Sequence, residues 1–215
     1  MRYKAVLYDM DGTVLNTLGD LTDSVNYTLR HFSMPERSAD EVRSFLGNGA
    51  GKLIEKSVPS GTDSGLFQEV LSFYKVWYNE HSCIKTAPYG GITGIMKKLK
   101  SLGVKQAVVS NKPDMTVREL AGRFFAGLLE TAVGESSAVR RKPWPDTVDA
   151  AVKLMGVDKK DCVYVGDSEV DIATAKNAGM DCISVAWGFR SERELRESGA
   201  ECIVHDMDEF FRALC

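Results

Sequence analysis

Six short runs in this chain are built around unbroken apolar or β-branched stretches, and no other feature narrows the fold as far. They are KAVLY (4–8), KQAVVS (105–110), TAVG (131–134), CVYVG (162–166), CISVAW (182–187) and ECIV (201–204). A strand with one wet face alternates apolar and polar residues. An unbroken run needs cover on both faces, as in a parallel sheet flanked by helices. Helix-like segments separate the later runs, near 92–102, 114–125, 145–155, 169–178 and 190–198. This alternation predicts an α/β fold with a doubly wound parallel sheet.

The stretch 17–84 follows another rule. Leu21, Val25, Thr28, Leu29 and Phe32 recur on one helical face. Ser38 with Glu41 three residues on forms a capping box, and the helix it opens closes at Gly47. Further helices fit 50–57 and 66–81, and no strand-like run occurs in this stretch. The expected organisation is therefore a core of residues 1–16 and 85–215, with a small all-helical cap, 17–84, inserted after the first strand. The hinges fall near Asn16 and Pro88, and Gly90-Gly91 marks the return into the core.

Composition excludes several functions. With 215 residues and 44% hydrophobic content the chain can bury a sizeable core. A net charge of −3 provides no field for a polyanion, so nucleic acid is not an expected partner. No run approaches the roughly 20 apolar residues of a membrane span, and the opening segment breaks at Asp9, too early for a signal peptide. The five cysteines form no CxxC, which suits reduced thiols in a cytoplasmic protein. His31, His81 and His205 show no partner pattern and read as structural or exposed.

Three of the strand-like runs end in polar residues that a plain fold does not require: Asp9-Met10-Asp11-Gly12-Thr13, Ser110-Asn111-Lys112, and Asp167-Ser168 followed by Asp171. In an open parallel sheet, ligands bind at the carboxyl ends of strands where the strand order reverses. If these strands are neighbours, Asp9, Asp11, Ser110 and Asp167 meet in one crevice. Clustered carboxylates repel unless a cation joins them, and hard oxygen ligands suit Mg²⁺, which typically also touches a substrate phosphate. A carboxylate can act as a covalent nucleophile, and a second acid two residues away can move the proton. Lys142, just before a helix opening at Pro145, is the candidate for a fixed positive charge. Each motif has a plainer alternative: an Asp-Gly turn, a Ser-Asn cap, a solvated lysine beside Arg140 and Arg141, or a first-turn acid at Asp171.

Taken together and in order, DMDGT (9–13), SN (110–111), Lys142 in KPWP and GDSEVD (166–171) resemble the motifs of the haloacid dehalogenase-like phosphatases across essentially the whole chain. The resemblance implies Asp9 as nucleophile and Asp11 as general acid/base. It implies Mg²⁺ held by the Asp9 carboxylate, the Asp11 carbonyl and Asp167, with Asp171 in support. Thr13, Ser110 and Asn111 would bind the phosphoryl group, and Lys142 would steady it together with Asp9. The helical insert looks like a C1-type cap, and segments 42–56 and 185–204 are similar to phosphoglycolate phosphatases. That likeness implies a substrate-facing loop at Asn48 and Gly49. Arg43 and Lys52 are possible partners for a substrate carboxylate, with solvation the simpler role.

The expected activity is hydrolysis of a small phosphorylated metabolite, most like phosphoglycolate, by a monomer or homodimer. The main alternative is a phosphomutase of the β-phosphoglucomutase type, disfavoured because Ala50 stands where those mutases carry an arginine. A pyrophosphatase is a further alternative. Asp11 argues against a dehalogenase, and a complete set of Asp9, Asp11, Lys142 and Asp167 against a non-catalytic binding module. Asn16-Thr17 replaces the subgroup's usual Asp-Ser pair at the hinge.

Overall fold

Alternate residues of each central strand point to opposite faces of a sheet, and here both faces are dry. The computed structural model describes all 215 residues. On one face, Ala5, Leu7, Ala107, Val109, Cys162 and Tyr164 pack with Val148, Ala151 and Ala175. Val6, Tyr8, Val108, Val163 and Val165, which point the other way, are also buried. Double cover explains why these strands read as unbroken apolar runs.

The chain forms two compact units, Met1–Leu15 with Pro88–Cys215, and Asn16–Ala87. The first holds a six-stranded parallel sheet in the order β5-β4-β1-β6-β7-β8, made of β1 (Ala5–Tyr8), β4 (Lys105–Pro113), β5 (Thr131–Glu135), β6 (Cys162–Gly166), β7 (Asp181–Val185) and β8 (Ile203–Val204). Helices α5 (Ile92–Ser101), α6 (Asp114–Phe125), α7 (Asp146–Met155), α8 (Glu169–Ala178), α9 (Glu192–Glu197) and α10 (Met207–Ala213) connect or follow them. From β1 the order runs outward to β4 and β5, then returns to β6 on the other flank. The reversal places the carboxyl ends of β4, β1 and β6 side by side.

The second unit consists of α1 (Leu18–His31), α2 (Ala39–Phe45), α3 (Gly49–Ser57) and α4 (Ser64–His81). Leu21, Val25, Thr28 and Leu29 of α1 are buried, the face expected from their spacing. The Ser38–Glu41 capping box is formed, and Asp63 caps α4 through the N–H groups of Gly65 and Leu66. Two short strands, β2 (Leu15–Asn16) and β3 (Ala87–Pro88), pair where the chain crosses between units.

Several boundaries differ from the sequence reading. Strand β4 continues past Ser110 to Pro113, and CISVAW leaves the sheet at Val185. Its last residues fold back: the Trp187 indole Nε1 donates to the Thr13 carbonyl at 3.1 Å. Helix α10 and the β2–β3 pair went unread, because two-residue strands and a seven-residue helix carry too little periodicity. His205 is exposed, in line with its reading, and its ring nitrogens meet Glu209 at 2.9 Å and Glu192 at 3.0 Å.

Asp20 anchors the helical unit internally. Its buried carboxylate accepts the backbone N–H groups of Ile84, Lys85 and Thr86 at 3.0, 2.8 and 2.8 Å. Hydrogen bonds to a charged acceptor are worth roughly 1.5–3 kcal/mol each, and stranded buried donors add a penalty. Asp20→Ala should therefore destabilise the protein by about 3 kcal/mol, read as a lowered urea midpoint. An unchanged midpoint would show that water replaces the carboxylate at no cost.

Candidate active site

The carboxyl ends of β4, β1 and β6 bring together side chains that lie far apart in sequence. Asp9 and Asp11 follow β1, Ser110, Asn111 and Lys112 end β4, Asp167 follows β6, Asp171 stands in the first turn of α8, and Lys142 comes from the segment between β5 and α7. Lys142 Nζ lies 2.5 Å from Asp9 Oδ1, 2.8 Å from Asp171 Oδ1 and 3.2 Å from the Tyr164 hydroxyl. Tyr164 in turn donates to Asp171 Oδ1 at 3.0 Å. All four residues are buried.

The main chain holds this arrangement in place. Asn111 clamps Lys142 at its backbone: Oδ1 accepts the Lys142 N–H at 2.6 Å, and Nδ2 donates to the Lys142 carbonyl at 3.2 Å. Asp171 Oδ2 accepts the N–H groups of Asp167 and Ser168 and the Ser168 hydroxyl, at 3.2, 3.1 and 2.6 Å. Asp171 thus serves both as a first-turn acid and as a partner of Lys142. The two oxygens of Asp167 are fixed separately, Oδ1 by the Thr13 hydroxyl at 3.2 Å and Oδ2 by the Phe189 N–H at 2.6 Å.

Two glycines are required sterically. At Gly12, φ is +86° and a Cβ would stand 2.3 Å from Asp167 Oδ2. At Gly188 a Cβ would stand 2.3 Å from Asp167 Cβ. The turn after β1 and the loop after β7 close on the same carboxylate.

Electrostatics set the chemistry available. Burial pushes the Asp9 carboxyl well above its ordinary range, against the pull of Lys142, while Asp171, Asp167 and Asp11 push it further up. Burial, then Asp171, raise Asp167 to about 7. Burial acts to lower the Lys142 ammonium, but Asp171 and Asp9 outweigh it and hold the charge on. Ligand oxygens of Asp9, Asp167 and Asp171 lie within 4.8 Å of one another. Three carboxylates against one ammonium leave two negative charges in a buried space, which a small divalent cation would balance. The all-oxygen donor set fits Mg²⁺.

The remaining expected residues are placed as follows. Ser110 is buried and its hydroxyl accepts the Lys112 N–H at 3.2 Å. In the helical unit, Asn48 is the N-cap of α3 and Gly49, at φ +77°, is its first residue. Lys52 pairs with Glu55 at 2.7 Å and Arg43 with Asp40 at 3.5 Å, on their own helices. Sequence reasoning did not find Tyr164, the Phe189 N–H or the Asn111 clamp. An aromatic residue inside a buried run reads as core, and a backbone donor carries no signature. Lys112 was visible in the motif but received no role.

Known proteins share this arrangement of elements. The haloacid dehalogenase-like hydrolase family profile matches residues 6–185, from β1 to the end of β7. The phosphoglycolate phosphatase of Neisseria meningitidis serogroup A is 30% identical, covering 98% of this chain and 93% of that protein. Its counterpart in Pseudomonas savastanoi pv. phaseolicola is 29% identical, covering 95% of this chain and 77% of its own length. Among solved structures, a candidate phosphoglycolate phosphatase from Lactobacillus delbrueckii subsp. bulgaricus superposes with a TM-score of 0.95 at 38% identity, covering 100% of this chain and 99% of that one. With its sheet, its motifs and these relatives in agreement, the chain belongs to the haloacid dehalogenase-like hydrolases, as a phosphatase of their phosphoglycolate phosphatase-like group.

Proposed function

We propose that the protein is a Mg²⁺-dependent phosphomonoesterase acting through a phosphoryl group carried on Asp9, with phosphoglycolate or a close analogue as substrate. The observation that carries this reading is the buried contact of Lys142 with Asp9, set among Asp167 and Asp171. Asp9 attacks phosphorus with one carboxylate oxygen as the ester P–O bond breaks, and Asp11 gives its proton to the departing alcohol oxygen. Water then attacks the same phosphorus, Asp11 takes the proton from water, and the P–O bond to Asp9 breaks to release phosphate. Lys142 favours the ionised form of Asp9 and orients it. Ser110, the Asn111 backbone and Thr13 line the place of the phosphoryl oxygens.

Bound Mg²⁺ would supply charge neutralisation and draw the phosphoryl group toward Asp9. The residues to hold it are Asp9 and Asp167 through carboxylate oxygens and Asp11 through its carbonyl. Asp171, whose two oxygens already accept from five protein donors, supports from behind. The substrate is read from the relatives named as phosphoglycolate phosphatases and from segment 42–56, which contains Asn48 and Gly49. We assign these two residues to the non-phosphoryl end of the substrate.

Asp9→Asn should lower kcat for p-nitrophenyl phosphate by on the order of 10³-fold or more, since an amide cannot attack phosphorus. A kcat near normal would exclude the covalent route.

Asp167 gives a pH signature in chelator. An unfolded Asp titrates near 3.9, roughly three units below the folded value. As pH rises between these values the unfolded chain ionises first, so the metal-free protein loses stability from about pH 4 to about pH 7, where Asp167 titrates, and levels off above. Thermal melts with EDTA should show this fall, Mg²⁺ should reverse it, and Asp167→Asn should make it shallower and weaken Mg²⁺ binding by calorimetry. A flat wild-type profile would show that the Asp167 carboxyl is not raised, and unchanged Mg²⁺ binding in Asp167→Asn would remove it from the cation site.

Asn48→Ala should change the ratio of kcat/KM values for phosphoglycolate and p-nitrophenyl phosphate by about tenfold, the value of one well-placed polar contact. Equal losses on both substrates would make this loop a stability element.

A further inference from the structure

Two buried or nearly buried lysines enter the site, and the phosphoryl chemistry described above uses one. Lys142 contacts Asp9 and Asp171. Lys112 Nζ lies 3.0 Å from Asp11 Oδ1, with side-chain exposures of 10% for the lysine and 20% for the aspartate. The cations are thus divided, one to the nucleophile and one to the acid/base.

Both ends of the Lys112–Asp11 pair are fixed by backbone. Asp11 sits in a tight turn where the Gly12 N–H donates to the Leu15 carbonyl at 2.9 Å and the Leu15 N–H donates to the Met10 carbonyl at 2.9 Å. Lys112 belongs to β4, and its carbonyl lies where a Cβ on Gly134 would meet it at 2.5 Å. Its N–H is bonded to Ser110 Oγ. The lysine therefore reaches Asp11 from a strand end whose backbone lies against Gly134 with no room for a side chain between them. A long cationic side chain with so little exposure gives up rotamer freedom and hydration, so a purely solvating role does not account for it.

We propose that Lys112 is a positioning residue for proton transfer: by holding Asp11 Oδ1 it fixes the direction of the second carboxyl oxygen, which exchanges the proton with the leaving alcohol. This rests on the reading of Asp11 as the acid/base. In the first half-reaction the P–O(alkyl) bond breaks, its electron pair stays on the alkoxide oxygen, and the Asp11 proton moves to that oxygen. The carboxylate left behind is the one Lys112 pairs with. In the second half-reaction the same carboxylate takes a proton from the attacking water, and the pair returns to its starting state.

The role predicts dependence on the leaving group. An alcohol that departs as a stable anion needs no proton, whereas a simple alkoxide does. The measurement is kcat/KM, which stops at the step that releases the alcohol, for p-nitrophenyl, phenyl and ethyl phosphate with saturating Mg²⁺. Lys112→Met should lower the value for ethyl phosphate by about 10–100-fold, a part of what general acid catalysis contributes, and leave p-nitrophenyl phosphate within about threefold. Lys112→Arg should restore most of the loss. Lys112→Gln serves in the same role if circular dichroism shows that the methionine variant does not fold. Equal losses on all three esters would make Lys112 a phosphate-binding or structural residue, and no loss on any would make the pair incidental; either result overturns the proposal. Asp11→Asn is run alongside. If it shows no steeper dependence on the leaving group than wild type, the acid/base reading fails and Lys112 loses this role with it. A steep Asp11→Asn series beside a flat Lys112→Met series would reject Lys112 alone.

Discussion

The ammonium of Lys142, buried between the carboxylates of Asp9 and Asp171, governs how the surrounding chain is built. A buried ion without its partner costs several kcal/mol, so neither the lysine nor the acids can be placed independently. The fold meets that condition by drawing each member from a different strand end and fixing it through main-chain groups. Asn111 grips Lys142 at the backbone rather than at the side chain. Asp171 is fastened to the first turn of α8, so the position of that helix and the position of the charge are one constraint. Gly12 and Gly188 are the steric counterpart, since a methyl group on either would displace Asp167.

A parallel sheet covered on both faces suits such a cluster. The strands supply rigid, dry walls below the charges, and the low dielectric there strengthens every remaining interaction. The same dryness raises the cost of imbalance, which appears in the elevated carboxyls of Asp9 and Asp167. The site holds more negative charge, from Asp9, Asp11, Asp167 and Asp171, than Lys142 and Lys112 can compensate. A cation and a phosphoryl group are a pair of ligands that such a surplus can accept together, because each offsets the charge of the other.

Much of this was legible from the chain alone, for physical reasons that can be named. Burial on both faces leaves a mark in composition, so CVYVG and KQAVVS read as central strands. The period of α1, through Leu21, Val25 and Leu29, reads as an amphipathic helix because one of its faces is buried. Acids placed directly after strands stand out against the needs of packing, which is why Asp9, Asp11 and Asp167 could be singled out. Tyr164 could not, since its hydroxyl is the only part of it that differs from core. The Phe189 N–H was equally invisible, because any residue presents one and only the fold-back after Val185 aims it at Asp167. Lys112 lay in plain view beside Ser110-Asn111, but a lysine at a strand end is ordinarily solvated, and its burial is a property of the tertiary structure.

The paired crossings at β2 and β3 have a consequence for the history of such chains. Neighbouring strands in a sheet lie about 4.8 Å apart, so the helical unit leaves and re-enters the core through a single narrow doorway. Whatever is threaded through it, the β1 turn on one side and Tyr89 on the other keep their own bonds, including the one from the Tyr89 N–H to the Val14 carbonyl. Joining two ends already held together costs little more chain entropy for a long insert than for a short one. The doorway therefore separates two kinds of change. The charges at the strand ends are tied to one another through the main chain, whereas the length of the insert adds little to the entropy of closing it.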